Sequence, residues 1–316
     1  MNKLLKSFGF TLAIVMIWPQ AGRAQNQPAD PRLAELTILI TPHNIDPADR
    51  WEYTRRAGTL APGCVAFGRV WNRPWPRVRC DLPTVPTKIS SVDSAAYHET
   101  RQLGVSVLGI PIVGHFFGKT GSKTLIFGAI HGDEPTSAAV ARALIEHLIN
   151  QPATSADQQV VVVPVLNPDG LARQTRTNAR QVDLNRNFPA KNFAVGKKDR
   201  YFGGNEPASE PETQLLLRLI EDFRPDRIIT IHSIERGKHG NNFDGPAEQL
   251  AQTMSHHNGY AVLPSIGYPT PGSFGSWAGS DQKIPTITLE LPSDATGDKC
   301  WQQNRDAVLA AIRAQR

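Results

Sequence analysis

The sequence predicts an α/β fold: a mixed, mostly parallel twisted sheet flanked by helices. From about residue 96, apolar runs of strand length alternate with amphipathic stretches, which is the pattern of a sheet covered by helices. A chain of 316 residues with 40% hydrophobic residues can bury one large core or two smaller ones. It contains no internal repeat or low-complexity tract, so a fibrous or disordered chain is excluded.

The first 24 residues are typical of a secretory signal peptide. Lys3 and Lys6 precede the apolar stretch FTLAIVMIW, and Gly22 and Ala24 are small residues in front of a cleavage site. Because that stretch is short for a bilayer span, we expect cleavage, export to the periplasm and no stable membrane insertion afterwards. An uncleaved anchor is the alternative.

Removal of this leader changes the charge of the chain. The leader holds Lys3, Lys6 and Arg23 and no acid, so its loss lowers the formal net charge from +5 to +2. No dense run of Lys and Arg remains, and we therefore expect no nucleic-acid partner.

Residues 25–95 are interpreted as an appended N-terminal segment packed on a catalytic domain of residues 96–316. The segment is rich in proline and lacks a clear period, and its tryptophans suit packing better than ligand binding. In an oxidising compartment Cys64 and Cys80 could close a loop worth about 3 kcal/mol. Cys300 would then be left over, and other pairings stay open.

Four apolar runs in the catalytic domain are predicted strands: KTLIFGAI, QVVVVPVL, RIITI and PTITLEL. Between the first two, residues 135–149 place Val140, Leu144 and Leu148 on one helical face, and Pro135 fits the first turn.

Two further helices are predicted later in the chain. One covers residues 209–223, where Ser209 and Glu212 form a capping box. The other is the amphipathic stretch from Trp301 to Ile312.

A polar residue accompanies each of the four apolar runs. His131, Asn167 and His232 directly follow the first three runs, and Glu290 lies inside the fourth. Ligands of open α/β sheets bind outside the carboxyl ends of the strands, so we expect these residues to converge on one site.

His131, Glu134 and His232 form a set of zinc ligands. A catalytic zinc ion takes three protein ligands from His and carboxylate side chains and leaves its fourth position to water. A His-x-x-Glu pair alone is weak, but the distant strand-end His and the later strand Glu strengthen it.

Glu290 has two interpretations. A carboxylate inside an apolar strand is costly to bury unless it is paired or faces a polar cleft, so an outward-facing solvated position is one of them. The other makes Glu290 the general base that takes a proton from water and passes it to the leaving nitrogen.

The stretch QTRTNARQVDLNRNFP, residues 174–189, is rich in arginine and asparagine. Such composition is usual in a solvated loop. An arginine fork also matches a carboxylate, and an arginine beside a polarised carbonyl stabilises an oxyanion, which a peptidase acting at a free carboxylate requires.

The motifs HGDE, NPDG, TRTN with VDLNRNFP, YFGG, IHS, FDGPA, GYPTPGSFGSWAG and TLELP occur in this order. The series resembles the zinc metallocarboxypeptidase superfamily, and within it most resembles the murein peptide amidases. This resemblance implies one Zn²⁺ per chain held by His131, Glu134 and His232, with Glu290 as the catalytic glutamate.

Further roles follow from the same resemblance. Arg176 corresponds to the oxyanion-stabilising arginine, with Arg173 and Arg180 as nearby alternatives. Asn185 and Arg186 correspond to the pair that holds the terminal carboxylate of the substrate.

Tyr268 corresponds to the mobile tyrosine that contacts substrate, although it could simply shape its loop. That loop, GYPTPGSFGSWAGSD, is the expected wall of the substrate side-chain pocket. Its polar members are Thr270, Ser273, Ser276 and Asp281.

The resemblance implies a peptidase that cuts peptidoglycan stem peptides between γ-D-glutamate and meso-diaminopimelate. Three alternatives stay open: a general carboxypeptidase on protein C-termini, a deacylase like succinylglutamate desuccinylase, and a wall-peptide binding protein without turnover. The murein amidases it resembles are cytoplasmic, whereas this chain begins with an export pattern, so its biological setting is expected to differ.

Overall fold

The computed structural model describes residues 97–235, 237–264 and 267–314, together with the backbone of six short strands nearer the N-terminus. The chain divides into two compact units, Met1–Lys88 and Ile89–Arg316. Apart from those short strands, the predicted signal peptide and the predicted N-terminal segment lie outside the described residues. Both assignments therefore stay predictions.

The six short strands form three antiparallel pairs. In one of them, Cys64–Ala66 pairs with Val78–Cys80, and Cys64 stands directly opposite Cys80. Residues opposite each other in an antiparallel pair have Cα atoms about 4.5–5.5 Å apart, a separation that a disulfide can span. The two side chains lie outside the described residues, so the bond itself stays a prediction.

Within the described residues, the second unit contains one sheet of eight strands. In chain order these are β1 (His98–Val105), β2 (Pro111–Phe117), β3 (Ser122–Phe127), β4 (Gln158–Val163), β5 (Arg227–Ile234), β6 (Gly240–Asp244), β7 (Ala261–Leu263) and β8 (Thr286–Pro292). Their order across the sheet is β7-β6-β8-β5-β3-β4-β2-β1.

The middle of this sheet is parallel and its flanks are mixed. The pairs β4–β3, β3–β5, β5–β8 and β6–β7 are parallel, whereas β1–β2, β2–β4 and β6–β8 are antiparallel. The central strands are the predicted apolar runs, because a strand covered on both faces needs apolar residues in succession. The predicted mixed, mostly parallel sheet is confirmed.

The α-helices of the described residues are α1 (Pro135–Asn150), α2 (Pro168–Arg173), α3 (Pro211–Phe223), α4 (Glu248–Asn258) and α5 (Gly297–Arg313). Short 3₁₀ turns cover Pro152–Ser155 and Leu184–Arg186, and a π-helical segment covers Ser276–Asp281. In the part of the chain that the structure describes, no helix has both the length and the apolarity needed to cross a bilayer.

Alternate residues of the central strands face two separate cores. On one side Ile126 and Val162 belong to the same core as Val140, Leu144 and Leu148 of α1, which are the face predicted from the sequence. Residues of α4 and α5 complete this core. The other core is formed by the intervening strand residues with α3 and the π-helical segment.

The capping box predicted for α3 is wrong. Glu210 is the N-cap residue and no side chain caps the helix. The Ser209 hydroxyl donates to Glu210 Oε1 at 2.9 Å and accepts from Asn187 Nδ2 at 2.9 Å. Glu212 Oε1 accepts from the backbone N–H of Val107 at 3.0 Å. Other side-chain and backbone partners of Ser209 and Glu212 therefore replace the reciprocal bonds that a capping box needs.

A buried amide network joins β6, α4 and α5. Asn241 and Asn258 exchange two hydrogen bonds of 3.1 and 3.0 Å, and Asn258 Nδ2 also donates to Asn304 Oδ1 at 2.9 Å. Asn304 Nδ2 donates to the Tyr260 hydroxyl at 3.1 Å. Every amide in this network has partners for both its oxygen and its nitrogen, so its burial leaves nothing unpaired.

Candidate active site

Two neighbouring strands and one tight turn bring the predicted metal ligands together. His232 in β5 stands opposite Glu290 in β8 in the parallel register. His131 lies in the turn after β3, and Glu134 is the N-cap residue of α1. Ala129 in this turn has φ 46°, a left-handed conformation that costs energy for a residue with a side chain.

The Glu134 carboxylate lies between the two histidines. Its Oε1 is 2.7 Å from His131 Nδ1, and its Oε2 is 3.1 Å from His232 Nδ1. Oε2 also accepts from the backbone N–H of Ser233 at 3.0 Å. All three side chains are buried. Although burial opposes ionisation, the two imidazoles hold the pKa of Glu134 well below its usual range.

These three residues fit a metal ion. Their donor atoms all lie within 4.8 Å of one another, and two nitrogens with one carboxylate are the donors that zinc takes in catalytic sites. The Nε2 atom of His232 is buried and has no partner among the described residues. One buried imidazole nitrogen without a partner, in a cluster of this donor chemistry, indicates a site for a metal ion.

Asp183 orients His131 through the ring nitrogen that points away from Glu134. Its Oδ1 is 3.1 Å from His131 Nε2, so Nδ1 is the ring nitrogen of His131 available to a metal. Burial works against the charged form of His131, but the Glu134 and Asp183 carboxylates raise its pKa to about 9. His232 lacks such a second carboxylate, and burial lowers its pKa.

Asp183 was not singled out from the sequence. It is fully buried, and its Oδ2 accepts from Arg176 Nε at 2.8 Å. The signal available was the single acid in the arginine-rich stretch of residues 174–189, since an acid among arginines has a reason to be buried.

One cavity of about 590 Å³ brings the predicted site residues together. All eight of them line it: His131, Glu134, Arg176, Asn185, Arg186, His232, Tyr268 and Glu290. Of the polar residues predicted for its wall, Thr270 and Ser273 line the cavity, whereas Ser276 and Asp281 do not. Asp281 instead accepts from the backbone N–H of Lys191 at 2.7 Å.

Among the three candidate arginines, the structure places Arg176 in the cavity. The Arg176 side chain is 12% exposed and its Nη1 lies 3.8 Å from Glu134 Oε1. Arg173 and Arg180 are not among the lining residues. The Arg180 side chain is 56% exposed and forms an ion pair with Glu210 at 3.6 Å.

Asn185 and Arg186 contribute a neutral amide and a cation to the cavity. Asn185 Oδ1 accepts from the backbone N–H of Phe274 at 2.9 Å, which ties this turn to the segment before the π-helical residues. Arg186 is buried, its Nη1 donates to the Asn185 carbonyl at 2.6 Å, and burial lowers its pKa.

Two tyrosines stand at the mouth of the cavity, each about half exposed. Tyr268 was predicted and Tyr201 was missed. The guanidinium carbons of Arg176, Arg186 and Arg200 lie 5.1, 5.9 and 5.4 Å from the Tyr201 ring centroid. Cation–π contact of this kind was not readable from the YFGG motif.

Glu290 faces the cavity and is 6% exposed, so the solvated interpretation of this residue is wrong. Burial and then the nearby Glu134 carboxylate raise its pKa to about 8. In the antiparallel register its neighbour on β6 is Gly240, which places no side chain beside it. A carboxyl group with such a pKa can both accept and return a proton near neutral pH.

Asn167 does not join the cavity, so its predicted place there is wrong. It is buried, its Nδ2 donates to the Ile130 carbonyl at 3.1 Å, and its Oδ1 caps α2 by accepting from Gly170 N–H at 2.8 Å. Gly132 packs backbone to backbone on this helix, because a Cβ on Gly132 would lie 1.8 Å from the Gly170 carbonyl carbon. These contacts hold the turn that carries His131.

Comparison with known proteins identifies the family of this site. The sequence pattern of peptidase family M14, the zinc carboxypeptidases, matches residues 98–303. The chain belongs to this family. As a zinc carboxypeptidase family member it is a hydrolytic metallopeptidase, and the family implies zinc at the His131, Glu134 and His232 site.

Murein peptide amidase A proteins are relatives of this family member. The chain is 35% identical to the Escherichia coli K12 protein over 221 residues, which cover 63% of this chain and 85% of that protein. It is 32% identical to the Vibrio campbellii protein over 226 residues, which cover 66% and 86%. The resemblance predicted from the motifs is therefore confirmed.

Solved structures agree with the family assignment. The murein-tripeptide amidase MpaA of Escherichia coli O157 matches with a TM-score of 0.56 at 28% identity, covering 69% of this chain and 92% of that one. Carboxypeptidase A of Helicoverpa armigera matches with a TM-score of 0.59 at 18% identity, covering 70% of each chain. The second likeness shows the shared fold alone.

Proposed function

We propose that this zinc carboxypeptidase hydrolyses the γ-D-glutamyl-meso-diaminopimelate bond of peptidoglycan stem peptides. The observation that carries the proposal is the 35% identity to murein peptide amidase A across 85% of that protein. The cavity supports it, because Arg186 contributes a cation and a carboxylate with a raised pKa lies near the metal site.

Asn185 and Arg186 would hold the terminal carboxylate of the substrate. Arg186 is buried and its fork faces the cavity, where a charge-assisted pair with a carboxylate gains strength from the low local dielectric. Fixing this carboxylate would restrict the orientation of the preceding amide bond in the cavity that also holds His131, Glu134 and His232, and this would lower the entropic part of the barrier.

Arg176 would stabilise the negative charge that develops on the scissile carbonyl oxygen. Asp183 holds the Arg176 guanidinium at Nε, and Glu134 lies 3.8 Å from its Nη1. Because both neighbours are buried acids, the guanidinium is oriented before the substrate arrives. Preorganised donors of this kind supply much of the rate enhancement in acyl transfer.

Glu290 would move the proton. A zinc ion bound by His131, Glu134 and His232 supplies Lewis-acid polarisation of the carbonyl and acidification of water. Glu290 takes the proton of the attacking water and returns it to the leaving nitrogen of diaminopimelate, so the glutamate carboxylic acid and the free amine are the products.

We also propose that the protein acts in the periplasm after removal of residues 1–24. Support comes from the basic, apolar and small-residue order of the leader. Sequencing the N-terminus of the protein recovered from a periplasmic fraction tests this. A cytoplasmic protein that still begins at Met1 would contradict it.

Digestion of purified muropeptides, followed by mass spectrometry of the products, tests the substrate. We expect release of diaminopimelate from L-Ala-γ-D-Glu-meso-diaminopimelate by the zinc-loaded enzyme, and none by Glu290→Gln. A comparable kcat/KM on hippuryl-phenylalanine would instead assign the chain to general carboxypeptidase action.

A further inference from the structure

Three arginines of the described residues line the cavity: Arg176, Arg186 and Arg200. The proposed function gives a task to two of them, because Arg176 serves the scissile carbonyl and Arg186 serves the terminal carboxylate. Arg200 has no task in that mechanism. A third cation on the wall of a substrate cavity favours a third anionic group on the substrate, since arginine pairs most strongly with a carboxylate or a phosphate.

A turn holds Arg200 at the cavity. Asp199 Oδ1 accepts from the backbone N–H of Tyr201 at 2.8 Å, and the Phe202 carbonyl accepts from the backbone N–H of Asp183 at 2.8 Å. Asp183 is the acid that orients a histidine of the metal site. The turn that carries Arg200 is therefore tied to the centre of the site.

Arg200 has one weak partner among the described residues. Its Nη2 donates to Asp133 Oδ2 at 3.2 Å, and the side chains of Arg200 and Asp133 are 59% and 33% exposed. An ion pair at this exposure contributes little to stability. The Nε and Nη1 atoms of Arg200 donate to no residue that the structure describes. A ligand carboxylate can therefore bind the open edge of this guanidinium without breaking a strong contact.

Arg200 lies beside the arginine that serves the scissile carbonyl. The guanidinium carbons of Arg176 and Arg200 lie 5.1 and 5.4 Å from the centroid of the same Tyr201 ring. Asp133, the partner of Arg200, directly precedes a residue of the metal site. Because Arg186 holds the leaving amino acid, the metal-binding turn and Arg200 are left to the acyl part of the substrate.

The acyl part of the proposed substrate carries an anionic group at a matching distance. A glutamate linked through its γ-carboxyl keeps its α-carboxylate free, three carbon atoms away from the scissile carbonyl carbon. With bonds of about 1.5 Å, the two carboxyl carbons are about 5 Å apart in an extended chain. A carbonyl oxygen bound by Arg176 and a carboxylate bound by Arg200 can therefore belong to one glutamyl residue.

We infer that Arg200 is a specificity-determining residue that binds the free α-carboxylate of the γ-linked D-glutamate. The inference rests on the proposed function, which supplies the γ-glutamyl group and its orientation. It sets stem peptides with a free α-carboxylate apart from those in which this group is a carboxamide. It also sets γ-glutamyl peptides apart from ordinary protein C-termini, whose α-linked backbone has no carboxylate at this position.

Two matched peptides test this inference: L-Ala-γ-D-Glu-meso-diaminopimelate and the same peptide with D-isoglutamine, which carries a carboxamide in place of the α-carboxylate. The ratio of their kcat/KM values is the measurement. The wild-type enzyme should prefer the carboxylate by about tenfold, the low end for a hydrogen bond to a charged group, because Arg200 is more than half exposed.

Two variants of Arg200 should change this ratio in steps. Arg200→Gln should bring it close to one by slowing cleavage of the carboxylate peptide alone. Arg200→Glu should bring it below one, because like charges repel. A partly unfolded preparation lowers both rates equally and cannot mimic either shift. A wild-type ratio in both variants would overturn the inference.

Arg180→Gln is the matched control. The Arg180 side chain is 56% exposed and pairs with one acid at 3.6 Å, much like Arg200, but Arg180 does not line the cavity. Its ratio should stay at the wild-type value, and an equal fall in Arg180→Gln and Arg200→Gln would reduce the effect to net charge and overturn the inference.

Failure of the proposed function gives a different result. A wild-type enzyme that cuts both peptides at the γ-D-glutamyl bond with equal kcat/KM retains the proposed function and contradicts the role of Arg200 alone. A zinc-loaded wild-type enzyme that cuts neither peptide contradicts the proposed function, and the inference is overturned with it.

Discussion

Two buried polar networks in this protein differ in what they leave unpaired. The amide network of Asn241, Asn258, Asn304 and Tyr260 is neutral, and each of its amides is paired on both sides. The ionic network around Glu134 and the two histidines is charged, and one imidazole nitrogen in it has no partner among the described residues. Burial alone therefore does not separate the structural network from the one in the cavity.

The energetic reason is the cost of isolated charge. A neutral amide recovers its lost hydration through hydrogen bonds, while a buried carboxylate also needs a complementary charge to offset most of its desolvation. The amide network therefore gains its full stabilisation within the fold. The ionic network lies in the cavity and keeps one imidazole nitrogen without a partner among the described residues, so variants in the two networks should affect different measurements.

The largest effect is expected for His131→Ala. Loss of one of three ligands should remove the zinc and lower kcat/KM by more than about 10³-fold, since the ion supplies several kcal/mol of transition-state stabilisation. Metal analysis of the purified variant together with kinetics on muropeptides measures this. Full activity in a metal-free protein would show that the ionic network is structural after all.

Glu290→Gln should come next, with kcat lower by about 10²- to 10⁴-fold and the zinc content unchanged. The amide keeps the shape of the side chain but cannot accept the proton. Zinc content and kcat are to be measured on the same preparation. Wild-type turnover would remove Glu290 from the mechanism.

Asn258→Leu should act on the other network. It leaves the amides of Asn241 and Asn304 buried with fewer partners, at a cost of about 1–3 kcal/mol for each unsatisfied group. The free energy of unfolding in denaturant should fall accordingly, with kcat within about twofold of wild type. A variant that loses activity but not stability would erase the distinction between the networks.

The smallest effect is expected for Asp183→Asn. Zinc affinity should fall by about 10- to 100-fold, because this residue orients His131 rather than binding the ion. Competition with a chelator of known affinity measures it, and Asp281→Asn serves as the control. Equal zinc affinities in the two variants would leave Asp183 with a packing role only.

Sequence reasoning worked where the determinants are local or recur as motifs. The apolar runs predicted the central strands, and Pro135 and the spacing of Val140, Leu144 and Leu148 predicted α1, because periodicity depends on neighbours in the chain. The cluster of His131, Glu134 and His232 was predicted from one short motif and one strand-end residue, and the structure brings the three side chains together.

It failed where long-range contacts decide. Glu212 accepts a hydrogen bond from the Val107 N–H instead of capping its own helix. Asn167 donates to the Ile130 carbonyl and does not line the cavity. Asp244 of β6 lines the cavity but was not predicted as a site residue, because its position there depends on the β6–β8 register, which no local pattern reveals.

The contact of Gly132 with Gly170 has a consequence for protein engineering. Neither glycine has a positive φ, so it is the absence of a side chain, and not an unusual conformation, that each position requires. The HGDE turn and the NPDG helix therefore form one transplantable part. A designer who grafts the HGDE turn onto another scaffold must carry the NPDG loop with it, or supply a backbone that approaches Gly132 equally closely.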